Sequence, residues 1–262
     1  LSFSSLNGSD PFFVDYLIGG TTTTDTVPSA GSNLLVNPTA TTTYALTFVT
    51  DSEGCEANLT DSTILVVNEI PQVILTSPTE TCDNDVIQLK FNFTAGTAPW
   101  TIDYSTNSSN TILPPIYNAI DSIAISPSAT TTYTINSVTD DNTCINDTPQ
   151  TIIITSHPLP EIVLSGGGSV CADGSTADII FTTSSGTPPY SLSYSAGLNS
   201  NFVSNLGNIY TIATNQAGVY TIQDVTDSKG CKATAINGSA FVNINPLPEV
   251  NITAYPQPAN IL

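Results

Sequence analysis

Residues Tyr220–Cys231 read YTIQDVTDSKGC. The stretch occurs twice more, as YTINSVTDDNTC at Tyr133–Cys144 and as YALTFVTDSEGC at Tyr44–Cys55. In each copy the Tyr precedes the Cys by eleven residues, Val-Thr-Asp lies between them, and the cysteines recur at intervals of 89 and 87. A fixed period with this much identity means one structural unit written three times.

Upstream of each hairpin lies a second shared block. Leu1–Tyr16 (LSFSSLNGSDPFFVDY), Leu89–Tyr104 (LKFNFTAGTAPWTIDY) and Ile179–Tyr194 (IIFTTSSGTPPYSLSY) each give an alternating strand, a Gly, and a Pro followed by an aromatic. A second strand then ends on Tyr16, Tyr104 or Tyr194. Alternation of β-branched and aromatic residues marks strands, and Gly/Pro between two such runs marks the turn. The aromatics at the turn, Phe12, Trp100 and Tyr190, are expected in the core, the competing reading being a platform for stacking sugars. The segments that follow (17–37, 105–126 and 195–214) vary in length and composition, so loops and edge strands are expected there. Asp-Ser-Glu-Gly and Asp-Ser-Lys-Gly suit type I turns. The Cys after each turn leads into a last strand, as in Thr63–Val67 and Thr151–Thr155.

The units are joined by Glu69-Ile-Pro-Gln-Val73, His157-Pro-Leu-Pro-Glu161 and Asn245-Pro-Leu-Pro-Glu249. Proline fixes φ and favours extended chain, so these are short, semi-rigid connections. The expected division is an N-terminally incomplete unit over 1–69, units over 70–158 and 159–247, and the start of a fourth at 248–262. About seven short strands per ~88 residues, with no sustained 3.6-residue apolar pattern, predict tandem immunoglobulin-like β-sandwiches in an all-β chain.

Net charge excludes some partners. Three basic residues (Lys90, Lys229, Lys232) face 22 acidic ones, for a net charge of −19. Nucleic acids and anionic membranes need a basic patch, which this composition does not provide. No apolar run approaches the ~20 residues of a membrane-spanning helix. The lack of Met and the missing opening strand lead to the expectation that the chain is a window cut from something longer.

Five cysteines complete the pattern. Cys82 and Cys171 lie one period apart, each just before the first core strand of its unit. The expectation is one bridge per unit, Cys82–Cys144 and Cys171–Cys231, leaving Cys55 with a partner outside the chain. A disulfide framework implies an oxidising, extracellular setting. No CxxC is present, so a zinc site is not expected.

Catalytic chemistry finds little support. His157, the sole histidine, is read as an exposed linker residue. Asp15 and Asp103 are equivalent positions in different units, and Ser193 takes that place in the third, so no paired carboxylates flank one bond. Acidic turns at Asp83, Asp85, Asp140 and Asp141 are weak calcium candidates, without EF-hand spacing. Asn-x-Ser/Thr sequons stand at Asn7, Asn58, Asn92, Asn107, Asn146, Asn237 and Asn251.

The Gly-x-x-Pro-aromatic turn, the Pro-x-Ala-Thr-Thr-Thr-Tyr strand lead (Pro38–Tyr44, Pro127–Tyr133) and the Val-Thr-Asp-x-x-Gly-Cys hairpin resemble Bacteroidota cell-surface repeat proteins. These are very large, Thr-rich chains of Ig-like or PKD-like units, exported by the type IX secretion system, and some are gliding-motility adhesins or surface fibres. The resemblance implies extracellular display and a stalk or adhesive role. It also implies O-glycosylation at Asp-Ser/Thr-apolar (or Thr) sites, matched by Thr26, Ser62 and Ser122. The implied partners are further repeats of the same chain, surface glycans or laterally associated copies. The alternatives are a carbohydrate-binding module or an accessory region of a secreted hydrolase.

Overall fold

The computed structural model describes residues 1–3, 7–29, 31–107 and 109–253. In the first unit, β1 (Phe12–Ile18), β2 (Thr21–Val27), β3 (Thr42–Thr50), β4 (Glu56–Asn58) and β5 (Ser62–Leu65) form one antiparallel sheet. Alternation in β1 buries Phe12, Val14 and Tyr16 on one face. The expected strand before Gly8 appears among the described residues only as a bridge from Ser2 to Asn33. Beside this core runs a groove of about 470 Å³ lined by Phe3, Val14, Tyr44, Leu46 and Leu65. Leu65 is 39% exposed, whereas its equivalents Ile154 and Val242 are fully buried.

The second unit is a two-sheet sandwich. Its strands are β6 (Gln72–Thr76), β7 (Glu80–Cys82), β8 (Ile87–Ala95), β9 (Thr101–Thr106), β10 (Ser109–Ile112), β11 (Ile120–Ile125), β12 (Thr131–Thr139), β13 (Ile145–Asn146) and β14 (Gln150–His157). One sheet runs β11-β8-β6 and the other β10-β9-β12-β14-β7, the last pair parallel and the rest antiparallel. Leu89, Phe91 and Phe93 of β8 meet Ile102, Tyr133, Ile135 and Ile154 of the facing sheet in one core. This strand order, with a short strand parallel to the last one, is that of an immunoglobulin-like sandwich.

The third unit uses β15 (Glu161–Cys171), β16 (Ala177–Thr183), β17 (Tyr190–Ala196), β18 (Asn199–Leu206), β19 (Ile209–Thr214), β20 (Gly218–Thr226), β21 (Ala235–Asn237) and β22 (Ala240–Asn245). Here the two sheets are continuous because β15 serves both. Its first half pairs β16 antiparallel, and its second half pairs β22 parallel. The crossing falls at Gly166, Gly167 and Gly168, all at positive φ. A Cβ on Gly167 would sit 2.5 Å from the Phe241 carbonyl oxygen.

Each of the three cores draws its residues from one sequence unit, an arrangement compatible with tandem sandwiches. The variable segments supply edge strands, β2, β10 and β18 on one sheet and β11 and β19 on the other. His157 departs from expectation. It is the last residue of β14, its side chain only 14% exposed.

Gly167→Ala should destabilise the third unit by about 1–3 kcal/mol from backbone strain alone, with the clash added. Gly174→Ala, at φ +96° with no atom near its Cβ, carries only the strain. Urea unfolding of the two variants should rank them in that order.

Candidate functional site

Every hairpin is organised by the Asp of its Val-Thr-Asp, buried at Asp51, Asp140 and Asp227. Asp227 Oδ1 accepts from the backbone N–H of Lys229 and of Cys231, both at 2.9 Å, and its Oδ2 accepts from Thr187 N–H at 2.9 Å. Asp140 accepts from Cys144 N–H at 2.9 Å and from Thr97 N–H at 3.0 Å. Asp51 accepts from Ser9, Glu53 and Cys55 N–H groups at 3.1, 3.0 and 2.8 Å. One carboxylate thus folds the hairpin and ties it to the Gly/Pro turn of the previous strand pair. The N–H groups of Ser9 and then Cys55 hold the Asp51 carboxyl below the usual carboxylate range.

The same turn seats the linker. A Cβ on Gly96 would lie 2.8 Å from Pro71 Cα, and one on Gly186 would lie 3.0 Å from Pro160 Cα. Asn146 donates to the Pro71 carbonyl at 2.9 Å, and Ser185 donates to the Leu159 carbonyl at 2.7 Å. Turn, hairpin and hairpin cysteine therefore share the pole at which the chain enters the unit.

The other cysteine lies at the opposite pole. Cys82 ends β7 and stands in parallel register with His157, the last residue of β14, where the chain leaves the second unit. Cys82 is bonded to Cys231 of the third unit, with Cα atoms 5.6 Å apart. The expected pairs Cys82–Cys144 and Cys171–Cys231 are not formed, and Cys55, Cys144 and Cys171 are free. The reason is geometric: within one unit the two cysteines sit at opposite ends of the sandwich, while across a junction they meet. The bond closes a span of 149 residues, for which loop-closure entropy gives roughly 5 kcal/mol as an upper figure.

Charges surround the bond. Glu80, two residues before Cys82, accepts from Lys229 Nζ at 2.8 Å and lies 3.0 Å from His157 Nε2. The Lys229 hydrogen bond, then that of His157, holds the Glu80 carboxyl below its ordinary range. The sequence reading missed this cluster. The available signal was Lys229 itself, one of three basic residues, standing where the other hairpins have Asn142 and Glu53.

Phe12, Trp100 and Tyr190 are all buried, and Trp100 stacks on Phe93 with centroids 4.4 Å apart. No aromatic platform forms at these positions. The calcium reading of Asp140 is overturned, because its carboxylate faces N–H donors. Asp83 accepts from the Ser156 hydroxyl. Asp85 and Asp141 are exposed. Among the described residues no three His, Cys, Asp or Glu side chains converge as a metal cage. Thr26, Ser62 and Ser122 are exposed strand residues. Asn7, Asn58, Asn92, Asn107, Asn237 and Asn251 are exposed and Asn146 is half-buried; Asn107 also hydrogen-bonds Thr130 and Thr132, and Asn146 hydrogen-bonds Pro71.

No protein-family model and no curated protein matches the sequence. Among solved structures it is similar to the three-domain ectodomain (Ig1–Ig3) of mouse nectin-like molecule 4, at 9% identity and TM-score 0.32, over 96% of each chain. It is similar to the central fibronectin-III array of RIM-binding protein, at 9% identity and TM-score 0.25, over 87% of this chain and 85% of that one. It is also similar to trypsin-activated alpha-2-macroglobulin from Escherichia coli, at 10% identity and TM-score 0.26, over 91% of this chain but only 21% of that one. At such scores the fold assignment rests on the strand order described above.

Asp227→Ala strands three N–H groups and should cost the third unit about 3 kcal/mol, at roughly 1 kcal/mol or more per orphaned donor. Asp227→Asn should recover part of the loss in the same chemical-denaturation assay. Asp51 has a depressed folded pKa, so its contribution is present above the unfolded value near ~4 and lost as pH falls below it. An acid titration followed by hydrogen exchange at Ser9, Glu53 and Cys55 should show the first hairpin opening in that range.

Proposed function

We propose that this chain is a non-catalytic segment of a large extracellular stalk, filament or adhesin whose inter-unit junctions bear tension. The observation that supports this is the Cys82–Cys231 bond across a junction. Force entering at Pro71 runs through β6 and β7 to Cys82, crosses the sulfur bridge, and leaves through β22. Residues 83–230, most of two sandwiches, lie off that path. Hydrogen-bonded sheets yield under load, whereas a covalent bond holds. The ion pair of Glu80 with Lys229 crosses the junction beside the bond and opposes bending of the joint.

Burial of Phe12, Trp100 and Tyr190 argues against a sugar-stacking platform on these units. In this reading the chain is displayed as the Bacteroidota repeat proteins it resembles are, through type IX export, with sugars on the exposed Thr26, Ser62 and Ser122. An extracellular setting agrees with a structural disulfide.

Single-molecule pulling between the termini tests the mechanical reading. Reduction should lengthen the fully extended chain by the 149-residue span, about 50 nm at ~3.3–3.6 Å per residue. An unchanged contour length would sink it. Glycopeptide mapping of native protein should find sugar on Thr26, Ser62 or Ser122, and unmodified peptides at all three would remove the glycosylation claim.

A further inference from the structure

The bond between Cys82 and Cys231 joins two positions that recur. Cys171 ends β15 as Cys82 ends β7. Cys82 pairs with His157, the end of β14, and Cys171 pairs with Asn245, the end of β22, both in parallel register. The next residue repeats the match: Asp83 N–H donates to the His157 carbonyl and Ala172 N–H to the Asn245 carbonyl, each at 2.9 Å. The chain then leaves through the same tripeptide, Pro158-Leu-Pro160 in one unit and Pro246-Leu-Pro248 in the other.

The hairpin side repeats as well. Cys55, Cys144 and Cys231 each donate N–H to the Asp four residues earlier, at 2.8, 2.9 and 2.9 Å. Each also accepts that residue's N–H at its carbonyl, at 3.0, 3.1 and 3.0 Å. Gly96 on Pro71 and Gly186 on Pro160 seat the hairpin pole on the linker in the same way at both junctions. A fixed linker between fixed poles puts the exit cysteine of one unit against the entry cysteine of the next.

We propose that Cys82–Cys231 is one rung of a ladder: the exit cysteine of each unit bonds the hairpin cysteine of the unit that follows it. Cys171 is then the attachment point for the hairpin cysteine of a following unit. Cys55 and Cys144 are the attachment points for exit cysteines of preceding units. The three free cysteines are the ones whose rule-assigned partners are not among residues 1–262. Each rung forms as two thiols lose two protons and two electrons to a small-molecule disulfide, which is reduced to two thiols. The inference rests on the tandem-unit arrangement and is independent of any surface role.

The test compares the 262-residue chain with a full chain in which residues 159–247 are repeated once in frame, both refolded in a glutathione redox buffer. The ladder leaves three reactive thiols in each, because the two added cysteines change the number of rungs by one. Non-reduced peptide mapping should find Cys82–Cys231 alone in the shorter chain, and a Cys171–Cys231 link in addition in the longer one. A Cys171–Cys231 link in the shorter chain, or five thiols in the longer, would overturn the ladder. A second chain, with residues 70–158 repeated, guards against a misfolded insert. It should gain a Cys82–Cys144 link absent from the parent and again keep three thiols, and failure to gain that link in a chain with native circular dichroism overturns the rule.

Discussion

One carboxylate per unit sets the geometry from which the junction follows. The Asp of Val-Thr-Asp is buried among N–H groups, where a carboxylate is stable because donors replace the water it has lost. Its two oxygens reach in different directions. One closes the hairpin and fixes the cysteine four residues on; the other holds the Gly/Pro turn, and that turn rests on the linker proline. Hairpin cysteine and chain entry are therefore locked at one pole of the sandwich by a group that does not touch the neighbouring unit.

The opposite pole is fixed by the sheet instead. A short strand parallel to the last one carries the exit cysteine to the level where the chain departs. In the second unit this strand is separate, whereas in the third it is the far half of one long strand bent through three glycines. Both solutions deliver the cysteine to the same register. The proline-bounded linker between the poles leaves the joint little freedom, so the bond closes where two rigid ends already meet. Glu80 adds a local attraction with Lys229 across the joint in a chain otherwise short of cations.

Repetition made much of this legible from sequence. The period, the hairpins, the buried aromatics at the Gly/Pro turn and the edge character of the variable segments all follow from residue pattern, which reports local structure and burial. Disulfide pairing did not follow, because it depends on which pole of the sandwich each cysteine occupies. Proximity in sequence to the first core strand suggested a bridge inside the unit, yet Cys82 belongs to the strand beside β14 and points out of the unit. The role of Asp140 was misread for a related reason. An acidic turn residue looks like a cation ligand until its donors are seen. Glu80 and Lys229 are 149 residues apart, and no local pattern links them.

The bond at the junction also changes what a protease can accomplish. The loop tips of both sandwiches, including Leu198 and Tyr117, stand exposed, and exposed tips are the places where chains are nicked. A single cut between residues 83 and 230 divides the backbone but not the molecule, since Cys82 and Cys231 still join the piece before the cut to the piece after it. Severing the chain across these two units then takes a cut outside that span, or a cut together with a reductant.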